Sequence, residues 1–121
     1  MPLDRIADKV AALGVPGLVL VAVIAFTGVT GGAAIVVALA TLGGPLGMMG
    51  GIGVLLLLGL ISKALTEYGF EAFMNAVVGK LKEQGKSDEA IIAEIRSYWF
   101  ISDKLKQRII GALYMSGAPK P

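Results

Sequence analysis

The ionisable residues of this chain offer little chemistry. Glu67 and Glu71 stand at i and i+4, a spacing that on a helix puts two carboxylates on one face, where they could share a proton or hold a divalent cation. Lys63 precedes Glu67 by four residues, however, so an ordinary ion pair beside a membrane span is the simpler expectation. Asp88 and Glu89 are adjacent and fit the first turn of a helix, where the helix dipole favours anions. Ser62 and Lys63 are neighbours in sequence rather than facing residues, which is no geometry for an activated nucleophile. The chain has no histidine and no cysteine, which removes imidazole bases, thiolates, disulfides and the usual soft metal sites. The glycine-rich stretch "GGPLGMMGGIG" at 43–53 has no following lysine and therefore no phosphate-binding loop. The expectation is a protein that is not an enzyme, with no catalytic residue, cofactor or metal.

The distribution of charge says more. Between Lys9 and Lys63 there is no Asp, Glu, Lys or Arg, and mean hydropathy over the chain is +0.77. A soluble domain of 121 residues could hide one such helix but hardly two. The formal net charge of +2 is small and interspersed, so no nucleic-acid partner is expected. The N-terminal "MPLDRIADK" is balanced rather than basic, and the apolar run behind it is longer than a signal-peptide core, so it reads as retained in the mature protein.

Residues 1–15 predict a short amphipathic helix, with Leu3, Ile6, Val10 and Leu13 on one side and Gly14 ending it. It should lie at the membrane interface or pack on the C-terminal part. Residues 16–66 predict a transmembrane helical hairpin with spans at 16–42 and 45–66. The first, about 40 Å if wholly helical, is long for a bilayer core of about 30 Å and must tilt or break near "TGVTGG" at 27–32. The second contains "VLLLLGLI" at 54–61, whose apolar residues favour insertion by roughly 2 to 4 kcal/mol. "LGGP" at 42–45 supplies the turn. With a basic C-terminal half, the positive-inside rule puts both termini in the cytoplasm.

Glycine inside these spans allows close backbone approach. Gly43, Gly47 and Gly51 are spaced by four, Gly50 and Gly53 lie beside that ridge, and Gly31, Ala34 and Ala38 give small surfaces on the preceding segment. These residues are expected to mediate helix association, within the hairpin or between copies in a homo-oligomer.

Residues 67–121 predict two or three amphipathic helices. Phe70, Phe73, Met74, Val77, Val78 and Leu81 form one stripe, read as an interface for packing or for a partner chain. Ser87 and Ser102 are the expected N-caps of the following helices. The cluster Tyr98, Trp99 and Phe100 suits a lipid headgroup region. The sequence thus predicts an all-α integral membrane protein, a glycine-rich hairpin followed by amphipathic helices, with the lipid bilayer as its partner. Two roles follow: a self-associating protein that forms a pore or perturbs the bilayer, or a non-catalytic accessory subunit anchored in a larger membrane complex.

Overall fold

The computed structural model describes residues 3–27, 50–99 and 101–115. Those residues form six helices and no strand: α1 (Leu3–Ala11), α2 (Val15–Thr27), α3 (Gly50–Tyr68), α4 (Phe70–Glu83), α5 (Asp88–Ser97) and α6 (Asp103–Met115). The all-helical class expected from the sequence is what is observed. The "LGGP" turn, Gly31, Ala34, Ala38, Gly43, Gly47, Phe100 and the tail beyond Met115 lie outside the described residues.

Several helix boundaries have a local cause. α1 ends where Leu13 and Gly14 donate to the carbonyls of Val10 and Ala11, with Gly14 at φ +78°, a conformation that a side chain would strain. α4 closes in a Schellman arrangement: Gly85, at φ +95°, donates to Lys82, and Lys86 donates to Leu81 at 3.0 Å. The caps expected at Ser87 and Ser102 are present. The Ser87 hydroxyl accepts from the amide of Ala90 at 3.1 Å, and the Ser102 hydroxyl from that of Leu105 at 3.2 Å. α3 and α4 are separate helices, broken at Gly69.

The core is organised around α2, which touches every other described helix. It is apolar on all sides, and Leu18, Val19, Leu20, Val21, Ala22 and Val23 are all at 0% exposure. A helix without a polar face must be enclosed on every side by protein or by lipid. Here the enclosing layer is the chain itself. α1 contributes Ile6, Ala7, Val10 and Ala11, α3 contributes Leu58, Ile61 and Ala64, and α4 contributes its apolar stripe. Ile91 and Ile95 from α5, with Ile109, Ile110 and Leu113 from α6, close the remaining side. Ile92 on α5 and Leu105 on α6 are only partly covered.

Among the described residues no helix is long and apolar enough to cross a membrane. α2 has 13 residues over its described length, about 20 Å. α3 has 19 but carries Lys63 and Glu67. Of the predicted spans at 16–42 and 45–66, the described residues are 16–27 in α2 and 50–66 in α3, two helices that contact each other.

Candidate functional site: a sheathed apolar helix

Three features hold the sheath together around α2. The first is a close approach at Gly17, one turn into α2. A Cβ there would lie 2.1 Å from the carbonyl oxygen of Val10 and 3.1 Å from its Cγ1. Only a glycine lets the end of α1 settle so near the start of α2. Neither helix propensity nor hydrophobic pattern signals this role, because the close contact exists only once the chain has turned back at Gly14.

The second is an ionic clasp between α1 and α4. The Lys80 ammonium lies 3.0 Å from Asp4 and 3.3 Å from Asp8, with Glu83 at 3.9 Å on its own helix. Its hydrogen bond to Asp4, with the further attraction of Asp8, holds the lysine above its ordinary pKa against the opposing effect of burial. Asp4 and Asp8 stand at i and i+4, a like-charge spacing that weakens an isolated helix. That spacing was the available signal that a cation from elsewhere completes the pair. Beside the clasp, the Gln84 amide donates to the carbonyl of Ala11 at 3.1 Å, a second bond to the acceptor that Gly14 already engages at the end of α1. Of the two places expected for the N-terminal helix, it occupies the second, packed on the C-terminal part.

The third is an aromatic closure at the far end of α2. Phe26 meets Phe70 with ring centroids 5.5 Å apart and planes tilted by 52°, and the Arg108 guanidinium carbon sits 4.2 Å above the Phe26 ring. Such a stacked cation contributes about 0.5–1 kcal/mol at an exposed site and ties α2, α4 and α6 together. A shallow cleft of about 380 Å³ borders these rings, with Glu71 and Gln107 at its rim. Nearby, the Thr27 hydroxyl donates to the Val23 carbonyl at 2.7 Å, so a polar group on an apolar helix is satisfied locally.

The stripe on α4 that suggested a partner interface is spent within the chain. Phe73, Met74, Val77, Val78 and Leu81 are buried and Phe70 is half-buried, in contact with helices of the same molecule. The reason is geometric: α1 and α2 fold back across α4 and take up the face that the sequence left open. Of the proposed association residues, Gly50, Gly51 and Gly53 lie in the first turns of α3.

The acidic residues weighed for chemistry are scattered. Glu67 and Glu71 are exposed and sit on different helices, α3 and α4, because the break at Gly69 separates them. They therefore do not share a helix face as the i, i+4 spacing suggested. Among the described residues no ion pair joins Lys63 to Glu67 and no group of three or more acids could hold a metal ion. Asp88 pairs with Lys82 at 3.0 Å across the turn between α4 and α5.

At the other end of α5, Glu94 binds Lys86 at 3.2 Å and accepts a hydrogen bond from the Tyr98 hydroxyl. Burial, reinforced by that carboxylate, pushes the Tyr98 phenol well above its usual pKa. Trp99, next in sequence, is 88% exposed. Compared with known families, curated proteins and solved structures, the chain matches none.

Proposed function

We propose that this chain is a membrane-inserting protein that self-associates and forms a pore or perturbs the bilayer, and that the arrangement of the described helices is its sheathed form. The single observation that carries the reading is α2, buried from Leu18 through Val23 by contacts with all the other described helices. An all-round apolar helix is equally suited to lipid. In the inserted form α2 and the apolar residues that follow it exchange protein neighbours for acyl chains, with the uncharged stretch up to Ser62 supplying a hairpin. The amphipathic helices then lie at the interface, their apolar stripes against lipid. Gly43, Gly47, Gly50, Gly51 and Gly53, facing Gly31, Ala34 and Ala38, supply surfaces for helix association in the bilayer.

The test exploits the absence of cysteine. Asp8→Cys and Lys80→Cys, joined by a short reducible bismaleimide, fasten α1 to α4 at the clasp. Dye-loaded liposomes are expected to leak when exposed to the unlinked variant and to stay sealed with the linked one until reductant is added. Equal leakage from both forms, or none from either, refutes insertion by unsheathing. Defined foreign chains co-purifying with a protein inert on liposomes would establish the accessory-subunit role instead.

A further inference from the structure

We infer that the corner between α5 and α6 is the surface by which the sheathed form first docks, and that its partner is a bilayer carrying anionic headgroups. This deepens the insertion reading and rests on it. Trp99 occupies the corner at 88% exposure, above Leu56 at 66% and Tyr68 and Tyr114 at 37%, the other large hydrophobics exposed among the described residues. Indole is the side chain best suited to the headgroup layer, with an apolar body for the acyl boundary and a polar N–H for water.

The residues around it give the partner its charge. Arg96, at the end of α5, and Lys104, in the first turn of α6, are exposed on either side of Trp99. Lys106 bridges the two helices, its ammonium donating to the Arg96 carbonyl at 2.9 Å, so that all three cations belong to one corner. Of the two acids at the corner, Asp103 is in solvent, 3.9 Å from Lys106. Glu94, the other acid of the corner, is already held by Lys86 and Tyr98. The same bond ties the side chain of Tyr98, the residue before Trp99, to α5. A projecting indole flanked along the chain by the exposed cations Arg96 and Lys104 complements a negatively charged headgroup layer.

The experiment uses the full chain and its single tryptophan as the probe. Vesicles of phosphatidylcholine alone, or with phosphatidylglycerol, are titrated into the protein at low and high salt, and Trp99 emission and dye release are read in the same samples. The expected result is a blue shift with the anionic vesicles, quenched by lipids brominated near the headgroup and lost at high salt as charges are screened. Arg96→Gln and Lys104→Gln, both at exposed positions, should each weaken partitioning by roughly five-fold while the far-UV circular dichroism is unchanged. An emission maximum indifferent to vesicles, equal partitioning into phosphatidylcholine alone, or unaltered partitioning of the two variants would overturn the inference. Dye release without a Trp99 shift would also overturn it while leaving insertion standing. A Trp99 shift without release would sustain the docking surface and remove the insertion reading.

Discussion

Gly17→Ala adds one methyl group to a 121-residue chain, and the packing of α1 against α2 makes its effect calculable. In most helix interiors this change stabilises by about 0.8–1.0 kcal/mol, because alanine loses less backbone entropy. At Gly17 the new Cβ would sit 2.1 Å from the Val10 carbonyl oxygen, where ordinary contact begins at 3.4 Å. The obstacle is backbone, so no side-chain rotation relieves it, and α1 must withdraw by about 1 Å. A gap of that size forfeits a quarter to a half of the dispersion attraction of the contacts it opens. The contacts in question are those of Ile6, Ala7, Val10 and Ala11, all at 0–1% exposure. Overpacking of this kind costs about 1–3 kcal/mol. With the end of a whole helix displaced we expect the upper part of that range, for a net loss of about 2 kcal/mol after the propensity gain. Each kcal/mol moves the melting temperature of a domain this size by roughly 3–6 °C. Thermal and urea melts followed by far-UV circular dichroism should therefore place Gly17→Ala about 6–12 °C below the parent. Gly79→Ala is the matched control, since a Cβ at that exposed position in α4 has no neighbour within 4 Å and should raise the melting temperature. A Gly17→Ala protein that melts at or above the parent would refute the close approach of α1 to α2. The same loosening should make Gly17→Ala release dye at lower protein concentration than the parent.

Phe73→Ala, which empties a fully buried aromatic site on α4, should cost about 3–5 kcal/mol in urea unfolding. Ser87→Ala, which leaves the amide of Ala90 without its acceptor, should cost about 1 kcal/mol, and Ser87→Asp should restore most of that loss. Alkaline pH should weaken the fold through two groups. The pKa of Lys80 is raised in the folded state, so its stabilisation is complete below its unfolded value of 10.5 and fades as pH climbs above it. Tyr98 behaves alike: its pKa is also raised, so the unfolded chain releases that proton above pH 10 while the folded chain keeps it. Urea midpoints should fall as pH rises through this range, and less steeply in Lys80→Met and Tyr98→Phe. Absorbance at the phenolate band should show one of the three tyrosines ionising only as the protein unfolds.

Much of the architecture was legible along the chain because it is set by local rules. The apolar periodicity of residues 70–81, the stop at Gly14, the caps at Ser87 and Ser102 and the enclosed character of 18–24 each depend on neighbours within a turn or two. Backbone hydrogen bonding and side-chain spacing fix such features before any tertiary contact forms. The break at Gly69 was less legible: the pattern of 67–83 suits a continuous amphipathic helix, and the interruption shows only as a positive φ at one glycine. It is also what parts Glu67 from Glu71.

What tertiary structure alone decided is which surface covers which. An apolar helix states that it must be enclosed, and it is silent on whether lipid, another subunit or its own chain encloses it, since the transfer energy depends on area removed from water and not on the identity of the neighbour. The answer for Leu18–Val23 came from α1, α3, α4, α5 and α6 folding around it. Which cation completes the Asp4/Asp8 pair, and the contact of Gln84 with Ala11, 73 residues away, were hidden for the same reason. Hydrogen bonds and ion pairs need their partners within about 3 Å, and residues that far apart in sequence reach such distances only through the packing of the helices that carry them.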